Sequence, residues 1–364
     1  MITGQQRIMI MAGGTGGHVF PALAVAEQLR SAGVDVIWLG TQRGIESRVV
    51  PEAGIELVTI PISGLRGKGI LGWVLAPLRI SYAIIMALRI IIKWRPQALL
   101  GMGGFVTGPG GIAGWLLRKP ILIHEQNAVA GMTNRILARF AKVVMEAFPG
   151  AFAANYCARQ TGNPVRADIM AIAEPDKRYS EREGALRVLV VGGSLGASVL
   201  NKMLPAAVKE FANQDIEIWH QTGRYELEET QHAYATSTNL DAKVTAFITD
   251  MSEAYQWADL VICRAGALTV TELASVGVAS ILIPFPHAVD DHQTANARFL
   301  EHAGAAILIQ QDRFNAVWLG ERLNEFVNRR ERLLAMAQAA RSQARNNATN
   351  DVSQLCIQAI RGTL

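Results

Sequence analysis

The sequence predicts an α/β protein built from two Rossmann-like halves, each a doubly wound parallel sheet. Three observations predict it. A short apolar run enters a glycine cluster twice: residues 7–12 lead into Gly13-Gly14-Thr15-Gly16-Gly17-His18, and residues 187–191 into Gly192-Gly193-Ser194-Leu195-Gly196-Ala197. Apolar runs then alternate with helix-period segments along both halves, the pattern of a parallel sheet with crossover helices. The chain, 364 residues and 50% hydrophobic, is long enough for two cores.

The elements follow in order. In the first half, strands are expected at 7–12, 35–39, 56–60, 98–101, 121–124 and 142–145, each a short apolar run of the kind buried on both faces. Helices are expected at 20–30, across 70–94, at 110–117 and at 132–140. In the second half, strands are expected at 187–191, 216–219, 243–246, 260–263, 280–283 and 306–309. Helices fill 197–211, 225–235, 251–257, 269–276, 292–303 and 317–328. The join lies near 162–166, where Gly162-Asn163-Pro164 stiffens the chain, and 174–184 reads as a solvated stretch without apolar periodicity. The tail, 330–360, reads as two helices broken around 346–351. The expected domains are therefore 1–163, completed by a closing helix at 345–364, and 164–344.

Composition excludes several classes. A formal charge of +4 with 18% charged residues is too little for a nucleic-acid binder. Cys157, Cys263 and Cys356 form no metal or disulfide spacing, which suits a reducing cytoplasm. The first residues lack a charged n-region and run directly into a strand, unlike a signal peptide. Residues 70–92 are apolar, but Pro77, Arg79 and Arg89 interrupt any bilayer-spanning run. Residues 81–92 read as an amphipathic helix on the core. Residues 64–78 set Arg66, Lys68 and Arg79 beside Ile70, Leu71, Trp73, Val74 and Leu75, a composition suited either to lipid headgroups or to ordinary packing. The dinucleotide fingerprint G-x-G-x-x-G fails at both glycine clusters, neither second strand ends in a carboxylate, and no P-loop is present.

Five constellations carry chemistry. Gly13–Gly17 with His18 places an imidazole at a strand's carboxyl end, where α/β sites form. Residues 101–111 hold six glycines, Gly103 and Gly104 among them, and fit either an anion nest or a close helix–sheet crossing. His124-Glu125-Gln126-Asn127 follows a buried run and is expected to face a cleft. Residues 263–272, with Ala267, Leu268, Thr269, Val270, Thr271 and Glu272, form a strand, a turn and a helix start able to hold phosphate on N–H groups and ribose on the carboxylate. Pro284-Phe285-Pro286-His287 and Asp290–Asn296 read as sugar-hydroxyl recognition. No D-x-D occurs, so no cofactor is indicated, although a divalent cation could assist.

Together the runs A-G-G-T-G-G-H-V-F-P (12–21), I-S-G-L-R-G-K-G (62–69), G-M-G-G (101–104) with G-P-G-G, H-E-Q-N, G-N-P-V-R, V-V-G-G-S-x-G-A and C-R-x-G-A-L-T-V-x-E resemble the MurG family, bacterial peptidoglycan N-acetylglucosaminyltransferases of GT-B fold. The resemblance implies inverting transfer of N-acetylglucosamine from UDP-N-acetylglucosamine to the C4 hydroxyl of lipid I, giving lipid II, at the cytoplasmic face of the membrane. It implies an anionic membrane surface as partner, with other cell-wall synthesis and division proteins as further partners. Carried over by position, Thr15, Gly16, Gly17, Asn127, Arg166, Ser194, Ile248, Ala267 to Thr271, Glu272 and Gln293 would serve the donor. Gly14, Gly103, Gly104, Phe105 and His124 would serve the acceptor. Leu195, Phe105 and His292 stand where some members carry Gln, Tyr and Gln. The hydroxyl needs a proton acceptor; His18 is the first choice and Glu125 stays open. The alternatives are another GT-B lipid glycosyltransferase, a UDP-sugar epimerase, or a non-catalytic sugar-nucleotide-binding scaffold.

Overall fold

The computed structural model describes residues 6–64, 75–180, 182–193, 196–210, 215–237 and 242–364. Arg66, Lys68, Ile70, Leu71 and Trp73, named above for membrane contact, lie outside the described residues, as do Ser194 and Leu195. The chain divides into two compact units, one of Met1–Val165 with Arg345–Leu364 and one of Arg166–Ala344.

The first unit is a parallel sheet of seven described strands: β1 (Arg7–Met11), β2 (Asp35–Gly40), β3 (Glu56–Thr59), β4 (Ala98–Gly101), β5 (Ile121–Glu125), β6 (Val143–Glu146) and β7 (Arg159–Gln160). Their order is β3-β2-β1-β4-β5-β6-β7. Strand side chains alternate between faces, which divides the core into two layers. Ile8, Ile10, Trp38 and Leu100 pack beneath the helices Gly16–Ser31 and Ala348–Arg361. Met9, Met11, Leu39, Leu99 and Ile123 pack on the other side with Ala83, Ala87 and Ile91. The closing helix thus packs against the first helix of the same unit.

The second unit repeats the scheme with six described strands: β8 (Leu186–Val191), β9 (Ile216–Gln221), β10 (Ala242–Thr245), β11 (Leu260–Cys263), β12 (Ala279–Leu282) and β13 (Ala306–Leu308). The order is β10-β9-β8-β11-β12-β13, all parallel. Val188, Val190, Ile262 and Ile281 pack against Leu200, Leu204, Leu319 and Phe326 from two helices. In each sheet the order reverses beside the first strand of the unit, between β1 and β4 and between β8 and β11. A crevice opens outside the strand ends at such a reversal, and ligands bind there.

One expectation needs correction. Residues 174–184 are not simply solvated: a helix, Pro175–Ser180, buries the Arg178 guanidinium, which donates to the carbonyls of Tyr255, Val276 and Gly277. A cation suits the C-terminal end of the helix Ala267–Val276, whose last carbonyls lack helical partners. Periodicity could not find it, because a one-turn helix carrying a buried cation shows no apolar stripe. The helix Ala76–Trp94 buries Ala76, Ala83, Ala87 and Ile91, but its opposite stripe, Leu78, Tyr82, Ile85 and Ile92, is exposed and still apolar. Arg79, Arg89 and Lys93 share that exposed side, so the helix is amphipathic as expected, with additional apolar side chains left exposed.

The glycines of 101–111 divide by role. A Cβ at Gly110 would strike Met11 and one at Gly111 would strike Leu137, so these two permit the helix Thr107–Leu116 to lie close on the sheet. Gly104 has φ +86°, and its Cβ would collide with the Gly13 carbonyl oxygen. Gly104→Ala is therefore expected to destabilise the first unit by about 2 kcal/mol or more, from left-handed strain plus overlap. Urea unfolding monitored by fluorescence checks this; an unshifted midpoint would show that the two loops do not press together.

Candidate functional site

The first unit concentrates its predicted residues at the β1/β4 reversal. The Trp38 indole N–H donates to the Ala12 carbonyl at 2.9 Å and pins the strand where the glycine loop begins. Thr15 then stands at the start of the helix Gly16–Ser31 without a side-chain cap on the first-turn amides. One turn in, His18 lies against Gly103, where any Cβ would meet its ring, and its Nδ1 is 3.4 Å from Thr15 Oγ1. Gly14, Gly16, Gly17, Gly103, Gly104 and His18 are thereby brought together. Phe105 is exposed, its ring over Gly64.

Glu46 was missed. It is fully buried, and its carboxylate accepts from the Gly14 N–H (3.0 Å), the Thr41 N–H (3.0 Å) and the Thr41 hydroxyl (2.7 Å). The signal was a carboxylate six residues past the end of β2, in the first turn of the helix Glu46–Glu52. It occupies the region where dinucleotide folds place a ribose ligand, yet here it faces inward and braces the glycine loop.

The His124–Asn127 run does not lie open as expected. His124 is buried, its Nε2–H donates to the Gly162 carbonyl, and burial pushes its pKa down despite that bond and Glu125 nearby. Glu125 is 3% exposed, and its two oxygens accept from the Asn127 and Gly131 N–H groups and from the Asn127 and Asn134 side chains. Four donors around one carboxylate make a loop brace. Asn127 is half-buried at the edge of that brace.

The second unit gathers the rest at the β8/β11 reversal. The helix Ala267–Val276 begins at Gly266 with no side-chain cap, so Ala267, Leu268 and Thr269 present first-turn N–H groups that no helical carbonyl can reach. Asn296, which the sequence suggested for sugar recognition, is fully buried instead and donates to the Ala265 carbonyl at 3.2 Å, fixing this helix start. Val270 and Thr271 are buried, Thr271 bonding back to the Ala267 carbonyl. Glu272 accepts from the Tyr255 hydroxyl at 3.0 Å. Burial pushes its carboxyl up to about 7; Tyr255 and Arg166 oppose the rise and Asp168 adds to it. Arg166 is exposed and pairs with Asp168 at 3.1 Å. Ile248 is buried just after β10. Gln293 Oε1 accepts from the Phe285 N–H at 2.9 Å, which ties the sugar-side loop to the start of the helix His292–His302. Among the described residues, no group of three or more His, Cys, Asp or Glu side chains could hold a metal ion.

Comparison with known proteins fits this geometry. The glycosyltransferase family 28 N-terminal domain matches residues 8–146, and the C-terminal domain of that family matches 187–352. The UDP-N-acetylglucosamine–N-acetylmuramyl-(pentapeptide) pyrophosphoryl-undecaprenol N-acetylglucosamine transferase of Marinobacter nauticus is 53% identical over 98% of this chain and 99% of its own length. The transferase of the same name from Coxiella burnetii is 50% identical over 96% of this chain and 98% of its own. The crystal structure of Acinetobacter baumannii MurG superposes with a TM-score of 0.84 at 44% identity, covering 97% of this chain and 99% of that one. A putative UDP-N-acetylglucosamine 2-epimerase from Listeria monocytogenes, at 14% identity and a TM-score of 0.65, shares the fold alone. Two parallel sheets, each with a glycine loop at its reversal point, and full-length identity near one half together place this chain in the MurG family of glycosyltransferases, with the GT-B fold.

Proposed function

We propose that the protein transfers N-acetylglucosamine from UDP-N-acetylglucosamine to lipid I, forming lipid II for peptidoglycan, the reaction named by its relatives. One observation carries the donor assignment. In the second unit an uncapped helix N-terminus and, one turn on, a recessed carboxylate lie at the reversal of the sheet. N–H groups there suit a diphosphate, and Glu272 suits vicinal ribose hydroxyls. Arg166 and the helix N-terminus would stabilise charge building on departing UDP. In the first unit His18 supplies the base, since its ring stands at the loop mouth whereas Glu125 would have to abandon four hydrogen bonds. The departures at Phe105 and His292 leave these groups in place.

We further infer peripheral attachment to the cytoplasmic face of the membrane. Among the described residues, no helix is long and apolar enough to cross a bilayer. Leu78, Tyr82 and Ile85 are exposed on one helix, Trp115 and Leu116 on the next, and Met132, Ile136 and Phe140 beyond, with Arg79, Arg89, Arg135 and Arg139 exposed among them. Exposed apolar side chains on three successive, mutually packed helices, interspersed with arginine, fit lipid headgroups. Leu75 and Arg79 belong to the start of this surface.

Release of UDP should require a lipid I analogue; release without acceptor, or epimerised sugar, would favour the epimerase reading. Ordinary binding of the donor with no transfer to the analogue would favour the scaffold. His18→Ala is expected to lower kcat by about 10²-fold or more while the donor KM changes little; unchanged turnover removes His18 as base. Inhibition by UDP should weaken as pH drops through about 7, because protonation takes an acceptor lone pair from Glu272. Glu272→Gln should flatten that dependence, and one that survives assigns it to another group. Tyr82→Glu with Ile85→Glu should reduce co-sedimentation with anionic vesicles; unaltered partitioning would return this face to ordinary surface.

A further inference from the structure

Gln221 ends β9 with its side chain 3% exposed, and it bonds to two loops at once. Its Oε1 accepts from the Gly193 N–H at 3.0 Å, and its Nε2 donates to the Gly193 carbonyl at 3.0 Å. The same Nε2 donates to the Ala246 carbonyl at 3.0 Å. One amide therefore grips both polar groups of a glycine held at φ +83° and joins it to the segment that leads, two residues on, to buried Ile248. Gly193 follows β8, which pairs with β11 at the same reversal as the Ala267 helix start assigned to the diphosphate, and Ala246 leads to Ile248, one of the residues the resemblance gives to the donor and taken here as the base side of the site.

We propose that Gln221 is a positioning residue that fixes the spacing between the diphosphate and base halves of the donor site. The proposal rests on the donor assignment above. A nucleotide gains from two half-sites only when they are held at its own length; once the spacing relaxes, each half binds as before but their joint advantage falls.

The first unit offers an internal comparison. Gly14 is the second glycine of its loop, as Gly193 is of the other, and its N–H is also met by a side chain from the second-strand region, there just past the strand and here at its last residue. There the partner is the Glu46 carboxylate, and here it is a neutral amide. A carboxylate cannot donate to the two carbonyls that Gln221 grips, and it would set a negative charge under a loop receiving a diphosphate.

Gln221→Ala, Gln221→Glu and Glu272→Ala, each checked for an unchanged far-UV spectrum, are compared through inhibition by UDP and by uridine against UDP-N-acetylglucosamine. Gln221→Ala should raise the Ki of UDP about tenfold and leave that of uridine within about twofold. Gln221→Glu, which keeps the side-chain volume if the alanine variant misfolds, should weaken UDP further and recover partly in high salt. Equal weakening of UDP and uridine, or no change in either, overturns the brace and leaves Gln221 a purely structural residue. Weakening by Glu272→Ala alone overturns the brace but keeps the donor site. Intact UDP binding in Glu272→Ala overturns the donor site and the brace with it.

Discussion

At the carboxyl edge of a parallel sheet the strand ladder has ended and the next helix has not begun, so main-chain N–H groups there have no partner from either element. Such groups bind anions only if something else holds them still. In this protein that task falls to buried side chains standing behind each loop. Glu46 holds Gly14, Trp38 holds Ala12, Gln221 holds Gly193 and Asn296 holds Ala265. The loops owe their shape to glycine and their rigidity to these four anchors.

The anchors differ in charge, and the difference follows the chemistry assigned to each unit. The second unit braces its loop and its helix start with amides, leaving Glu272 as the acidic side chain we propose to meet the nucleotide. That carboxyl is pushed up to about 7 by burial, so its charge is conditional on pH and on what surrounds it. Tyr255 donates to it directly and Arg166 lowers its pKa, so both favour the ionised form that can accept from two hydroxyls. In the first unit the braces Glu46 and Glu125 are carboxylates engaged by N–H donors and, for Glu46, the Thr41 hydroxyl, which leaves the imidazole of His18 at the loop mouth as the proton-transfer group we propose.

Much of this architecture was legible in the sequence because parallel strands buried on both faces announce themselves as apolar runs, and glycine clusters mark where they end. The paired loops, the helix carrying Glu272 and the residues around His18 were readable for that reason. What escaped was tertiary. Glu46 and Gln221 lie one loop or one strand away from the glycines they hold, and no local spacing connects them. Arg178 sits in a one-turn helix without periodicity. Asn296 and Glu125 looked like ligands because polar residues at strand and helix ends usually face solvent, whereas here they face backbone. The helix Ala76–Trp94 was read correctly as amphipathic, but the sequence did not show how many apolar side chains, Leu78, Tyr82, Ile85 and Ile92, stay exposed beside its cations.

A structure determined with UDP-N-acetylglucosamine bound tests the central claim most directly. The account places the diphosphate against the first-turn N–H groups of Ala267 to Thr269, with the ribose hydroxyls on Glu272 and the uracil beside Ile248. Nucleotide density at the Gly13–Gly17 loop of the first unit, with the Ala267 helix start vacant, would contradict it.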